Sequence, residues 1–130
     1  MRTWTNDELN RIGTAEELEI TSSRADGSLR KSRTIWVVRQ DHDLYVRSVN
    51  GRSADWFRGT QTRHEGRIWA GGLEQDVRFE DVDAGDAIHN QIDAVYRSKY
   101  HRYAANIVNS VLSPTARSAT IKLIPHVAGN

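Results

Sequence analysis

Ser32-Arg33-Thr34-Ile35-Trp36-Val37-Val38-Arg39 is the stretch whose reading decides the fold. Its centre, Ile35-Trp36-Val37-Val38, is apolar at four successive positions, and successive side chains of an extended segment leave on opposite faces. β-Branched and aromatic residues dominate it, which suits a pleated, buried surface. It therefore predicts a strand from about Ser32 to Arg39 that is covered on both faces, a central strand. Upstream, Leu18, Ile20 and Ser22 alternate with Glu19, Thr21 and Ser23, which predicts a strand with one wetter face. Asp26-Gly27 between the two is a hairpin turn signal. Downstream, Gln40-Asp41-His42-Asp43 reads as a polar turn, and Leu44 to Val49 as a third strand. Residues 24–50 leave no room for the helical crossover that parallel neighbours need.

Working outward, Thr5 and Glu8 form a capping-box pattern that opens a short helix to about Ile12, with Gly13 ending it. Asn50-Gly51 ends the third strand, and Ser53 is placed to cap a one- or two-turn helix carrying Trp56 and Phe57. Gly66 to Ala70 and Gln75 to Val82 predict strands four and five, joined by Gly71-Gly72. A long amphipathic helix is expected from about Ala87 to Tyr103, with Ile88, Ile92, Val95, Tyr96, the Lys99 stem and Tyr103 on its apolar stripe. Ser113-Pro114 opens another helical turn, and Ala119 to Ile124 predicts the sixth strand. The expected fold class is mainly β with flanking helices: a small six-stranded antiparallel barrel formed as one domain over residues 1–130.

Bulk properties bound the function. A net charge of +1 gives no global pull toward nucleic acid or a membrane surface, so neither partner is expected. The absence of cysteine removes disulfides, thiolate nucleophiles and thiolate metal ligands. The start, MRTWTNDELNRIG, has no apolar signal-peptide core and no apolar run is long enough to span a bilayer, so the expected location is cytoplasmic. None of the five histidines pair at i and i+4, and no metal is expected. Phosphate-loop, dinucleotide, nucleophile-elbow and zinc-protease motifs are missing, and no catalytic residue is nominated.

Charge is uneven along the chain. Residues 24–67 hold ten Arg or Lys against five acids, whereas residues 74–93 hold seven acids and one Arg. Three constellations follow. Arg30-Lys31-Ser32-Arg33 is a candidate phosphate clamp, because guanidinium groups make forked, charge-assisted bonds to phosphate. The plain alternative is a soluble hairpin arm whose cations blunt a sheet edge. Arg47-Ser48-Val49-Asn50-Gly51-Arg52-Ser53 is a candidate anion or cofactor site beside a helix start, or simply a strand end and a capped helix. Trp56, with Trp36 and Trp69 on nearby strands, could wall a planar ligand or simply fill the core.

The pattern of Trp4…Glu8-Leu9, Glu19-Ile20, Thr34-Ile35-Trp36-Val37-Val38, Leu44-Tyr45-Val46-Arg47-Ser48-Val49-Asn50-Gly51, Trp56-Phe57-Arg58, Tyr96-Arg97-Ser98-Lys99-Tyr100 and Ser113-Pro114 resembles an uncharacterised bacterial family known as a domain of unknown function. More distantly the layout is similar to the flavin-binding split barrels, both the pyridoxamine-phosphate-oxidase-like proteins and the deazaflavin-dependent nitroreductases. In the latter a Gly-Arg-Lys-Ser-Gly stretch precedes a strand, and another strand ends in Ser and Gly before Trp-x-x-Asn. Leu29-Arg30-Lys31-Ser32-Arg33 matches the first stretch through Arg, Lys and Ser; Ser48, Gly51 and Trp56 match the second, and Gly59 stands at the Asn position. The resemblance implies a six-stranded split barrel and a homodimer with FMN or F420 near the interface, where Arg30, Lys31, Ser32, Arg33, Arg47, Ser48, Asn50, Gly51 and Trp56 are the candidate contacts.

The leading expectation is a flavin- or deazaflavin-dependent oxidoreductase acting on a small molecule. One alternative is a small-molecule-binding barrel without redox activity. Another is a cofactor-free isomerase, hydrolase or cyclase using a group such as His64 or Asp55.

Overall fold

The computed structural model describes residues 3–126, so both ends of the expected 1–130 unit, and Met1 and Arg2 of the leader reading, lie outside the described residues. Helix α1, Asn6–Thr14, opens with the expected capping box: the Thr5 side chain accepts from the Glu8 N–H and the Glu8 carboxylate accepts from the Thr5 N–H. The strands are β1 (Leu18–Ser22), β2 (Arg33–Ile35), β3 (Val38–Gln40), β4 (Asp43–Arg47), β5 (Glu65–Ala70), β6 (Leu73–Asp81) and β7 (Thr120–Pro125). Helix α2 is Asp55–Arg63, α3 is Ile88–Lys99, α4 is Ala105–Ser110 and α5 is Pro114–Arg117. Ser113 caps α5 as the Ser-Pro pair implies. Ser53 does not cap α2; it lies in a 3-10 turn, Gly51–Ser53, and Ala54 holds the cap position.

One antiparallel sheet runs in the order β2-β1-β5-β6-β7-β4-β3. The sheet has seven strands, not the expected six, and the difference lies in the Ser32–Arg39 stretch. Arg33–Ile35 pairs with β1 at one edge, and Val38–Gln40 pairs with β4 at the other. Only Trp36 and Val37 separate them, a span of roughly 10 Å at full extension. The sheet must therefore curl until its two edges meet at this crossing, giving an α/β split-barrel form with flanking helices and no closed six-stranded barrel.

The expected central strand is thus two edge strands. Its apolar run has another cause: Val37 enters the core inside the curl, and Val38 enters a second core on the outer face. Leu9 and Ile12 of α1 and Phe57 of α2 fill the first with Leu18, Ile20, Leu44, Val46, Ile68, Val77, Phe79, Ile121 and Leu123. In the second, Ile92, Tyr96 and Tyr100 pack on Val38 and Tyr45, with Val108 and Val111 beyond them. The hairpin between β5 and β6 turns on Gly71 and Gly72, both at positive φ (57° and 78°), which a two-residue turn of this kind requires.

Helix α3 is shorter than expected, and Tyr103 lies past its end. None of the helices among the described residues is long and apolar enough to cross a membrane.

Candidate functional site

The β1–β2 hairpin contains a bulge. Ile20 opposes Arg33 and Ser23 opposes Leu29. Two residues on one side, Thr21 and Ser22, therefore face three on the other, Arg30, Lys31 and Ser32. A bulge bends a strand and re-aims its side chains. Here the Arg30 N–H donates to Ser22 O at 3.0 Å, and the Thr21 hydroxyl donates to Arg30 O. These bonds fix the backbone of the Arg-Lys-Ser segment against β1.

Helix α2 lies over the same place. Gly59 is buried there, and a Cβ at this position would lie 2.6 Å from Ser22 Oγ, 2.9 Å from Arg30 Cδ and 3.1 Å from Arg30 Nε. The absence of a side chain at position 59 is therefore what admits the Arg30 stem beneath the helix. The Arg30 Nη2 donates to Thr62 Oγ1 at 3.2 Å, but its Nε is buried without a hydrogen-bond partner among the described residues. A buried guanidinium donor left unmet costs free energy, so it marks a place where an acceptor belongs. Beside it is a cleft of about 20 Å³ lined by Ile20, Thr21, Ser22, Lys31, Trp56 and Thr60. Trp56 is half-buried and meets Phe57 edge-on at 6.1 Å. Lys31 and Arg33 are exposed, and neither forms an ion pair or side-chain hydrogen bond among the described residues.

The sequence candidates thus divide. Arg30, Lys31 and Trp56 converge on one cleft, with Ser32 and Arg33 in the adjoining bulge and strand. Arg47, Ser48, Asn50 and Gly51 do not line it. Arg47 is buried and four of its five N–H donors are engaged: Nη1 bonds Asp93 Oδ1 at 2.5 Å and Val111 O at 2.9 Å, Nε bonds Thr120 Oγ1 at 3.0 Å, and Nη2 meets His89 Nδ1 at 2.9 Å. A guanidinium only donates, so Nδ1 accepts and the His89 Nε2–H is given to Asp83 O, 2.8 Å away. Arg117 takes the other Asp93 oxygen. Burial pushes the Asp93 carboxyl up, but the Arg117 and Arg47 hydrogen bonds and charges outweigh it and hold the carboxyl below its ordinary value. The expected anion clamp at Arg47 is instead an internal ion-pair network tying β4 to α3 and α5.

Gly51, at φ 78°, accommodates Thr115, whose Cγ2 would meet a Cβ there at 2.6 Å. The Ser48–Gly51 turn is therefore packed against α5, while Asn50 is exposed. The Ser48 hydroxyl is buried without a partner among the described residues.

The other aromatic walls are also used elsewhere. Trp36 stacks on Tyr100, Trp69 Nε1 donates to Glu74 Oε1 at 2.7 Å, and Phe57 belongs to the core. His64 and Asp55 are exposed, paired with Asp81 at 3.5 Å and Arg58 at 3.9 Å, and neither lines the cleft. Among the described residues, no group of three or more His, Cys, Asp or Glu is placed to hold a metal.

Sequence reasoning did not pick out Thr21, Ser22, Gly59 or Thr60 for this site. The available signal was Gly59, three residues after Trp56 and out of place inside a helix.

The chain belongs to the family described as "Uncharacterized protein conserved in bacteria (DUF2255)", whose model matches residues 8–123. No curated protein matches it. Among solved structures it is similar to a candidate pyridoxamine 5'-phosphate oxidase from Listeria innocua, with TM-score 0.66 and 15% identity over 94% of this chain and 93% of that one. HutZ, the heme storage protein of Vibrio cholerae, aligns with TM-score 0.67 and 13% identity over 98% of this chain and 93% of that one. A FAD-binding protein from Mesorhizobium loti aligns with TM-score 0.58 and 16% identity over 97% and 93%. These likenesses show the fold alone, one similar to the pyridoxamine-phosphate-oxidase-like and deazaflavin-nitroreductase-like split barrels.

Proposed function

We propose that this family member binds a phosphate-bearing flavin or deazaflavin, FMN or F420, at the Arg30–Arg33 bulge and serves as an oxidoreductase for a small molecule. The observation that carries this reading is Arg30 Nε, buried and without an acceptor beside a cleft that Gly59 keeps open. A volume of about 20 Å³ suits one phosphate oxygen, since a single water needs roughly that much. Lys31 and Arg33 supply two further positive charges that no carboxylate among the described residues neutralises. Fold-level likeness to a FAD-binding protein and to an F420 reductase agrees with this assignment.

The fit is to the phosphate end. The cleft is too small for the fused rings, which would lie outside it against the Trp56 indole. A second copy of the chain would close over them, so the reading includes a homodimer. Bound there, the cofactor would supply the electron or hydride transfer, which is why no acid, base or nucleophile is needed in the cleft. The chain's own part is to neutralise the phosphate through Arg30, Lys31 and Arg33, to orient the ring on Trp56, and to exclude water.

Gly59 supports a second reading. It stands where the deazaflavin nitroreductases carry Asn, so the same cleft can serve an anionic small molecule with no redox partner. Titration of the purified protein with FMN and with F420, followed by quenching of Trp fluorescence, separates the two. Saturable binding of either supports the oxidoreductase reading; no binding of either, with a thermal shift on an anionic ligand, supports the second.

A further inference from the structure

A second cavity lies away from the Arg30 cleft. It is an open surface depression of about 410 Å³ between the end of α1, strand β3 and helix α3, with Gly13, Arg39, Gln40, Val95 and Lys99 among its lining residues. Two cations share it, and neither is paired with a carboxylate among the described residues. Arg39 donates from Nε to Asp41 O and from Nη1 to Asn10 Oδ1, each at 2.8 Å, and both acceptors are neutral. Lys99 donates from Nζ to Val37 O at 2.6 Å and lies 5.1 Å from the Tyr100 ring centroid. A Cβ at Gly13 would lie 2.9 Å from Arg39 Cβ, so the glycine lets Arg39 sit at this wall.

The other charged and titratable groups near Lys99 are accounted for. Glu16 is the carboxylate whose charge reaches it, but that carboxylate accepts from Arg102 Nη2 at 2.5 Å and from the Tyr103 hydroxyl at 2.7 Å. The Tyr100 hydroxyl is engaged with the Glu16 and Val37 backbone. Burial brings the Lys99 ammonium down to about 8, with Glu16 only partly opposing. A desolvated lysine with a neutral fraction near physiological pH is a nucleophilic amine.

We propose that this cavity binds a small carbonyl compound carrying a carboxylate, with the carboxylate on Arg39 and the carbonyl carbon joined to Lys99 Nζ as a reversible imine. The neutral amine attacks the carbonyl carbon, a C–N bond forms, and the carbonyl oxygen takes up a proton. That oxygen then leaves as water together with the second amine proton. Amine and carbonyl become imine and water, and nothing is oxidised or reduced. This site is independent of the Arg30 cleft.

The chain has three lysines, Lys31, Lys99 and Lys122, which makes the test direct. The intact protein is exposed to glyoxylate, or to acetaldehyde as the uncharged control, with cyanoborohydride to trap the imine, and label is located by peptide mass. Glyoxylate should label Lys99 at least about tenfold faster than Lys31, and by a larger ratio than acetaldehyde, which shares only the advantage of the neutral amine. Arg39→Gln should bring the glyoxylate ratio down to the acetaldehyde ratio. In case that variant folds poorly, excess acetate with the unaltered protein should slow glyoxylate labelling at Lys99 and leave Lys31 unchanged. Labelling of Lys99 no faster than Lys31, a glyoxylate ratio no larger than the acetaldehyde one, or no effect of acetate at Lys99 would overturn the proposal.

Discussion

The Trp36 indole and the Tyr100 phenol lie parallel, 3.8 Å apart at their centroids and 3° apart in plane. This stack fastens the point where the chain leaves one sheet edge and enters the other to helix α3. The Tyr100 hydroxyl adds to it by accepting from the Val37 N–H at 3.2 Å. Tyr100→Phe keeps the stack but leaves that buried N–H unmet, at a cost of about 1–2 kcal/mol. Trp36→Ala removes the ring and should cost more, about 3 kcal/mol. Urea unfolding checks both; equal midpoints for Tyr100→Phe and the unaltered protein would show that the hydroxyl is not holding the crossing.

The Arg47–Asp93 pair predicts an asymmetric response. Asp93→Ala strands the buried Arg47 and should cost about 3–5 kcal/mol. Arg117→Ala, whose side chain is 34% exposed, should cost about 1 kcal/mol or less. The pH dependence has a definite sign. Because the Asp93 carboxyl is held below its ordinary value in the fold, its contribution is complete above about pH 4, the unfolded range, and is lost as pH falls through the lower folded value. Asp93→Asn should flatten the acid limb of a denaturation series.

At high pH two effects oppose each other. The Lys99 ammonium is brought down to about 8 by burial, so the unfolded chain holds more protons between there and its ordinary value near 10.4, and stability rises with pH across that window. Burial raises Tyr45 to about 12 and raises Tyr96 and Tyr100 as well. Above about pH 10 the unfolded chain loses phenol protons first, and stability falls. Denaturation between pH 7 and 11 should show a maximum near pH 9–10. Lys99→Met should lose the rising limb and keep the fall; a rising limb that survives would show that another group produces it.

Much of this architecture was legible locally. Thr5 with Glu8, Asp26-Gly27, Gly71-Gly72 and Ser113-Pro114 each carry their own backbone chemistry, and each sits where that chemistry places it. The Ile35–Val38 run misled because it is alike in a central strand and in a chain crossing between two cores; only the pairing partners, Leu18–Ile20 on one side and Asp43–Tyr45 on the other, distinguish them. Arg47 misled for a related reason. Its counter-ion is 46 residues away, and the one local hint was that His89 and Asp93 interrupt the stripe that Ile92 and Tyr96 define on α3. Arg30, Lys31 and Trp56 were readable as residue types suited to an anionic, flat ligand. The bulge and the glycine that draw them together were not, because both depend on register and helix packing.

Gly59 makes the site testable without touching a contact residue. Gly59→Ala puts a methyl group where Arg30 Cδ and Ser22 Oγ now sit, and both are side-chain atoms able to move. The fold should persist while Arg30 is displaced, with phosphate-bearing ligand affinity falling about tenfold. Unchanged affinity in a folded variant would separate Gly59 from the site.

The most direct test of the Arg30 phosphate clamp is calorimetric titration with pairs of ligands that differ only in phosphate: FMN against riboflavin, and F420 against its phosphate-free deazaflavin. Arg30→Gln serves as the comparison variant. The clamp predicts that the phosphate-bearing member of at least one pair binds at least about tenfold tighter, a difference of about 1.4 kcal/mol, and that Arg30→Gln erases the gap. Equal affinities within both pairs, or a gap that survives Arg30→Gln, would contradict it.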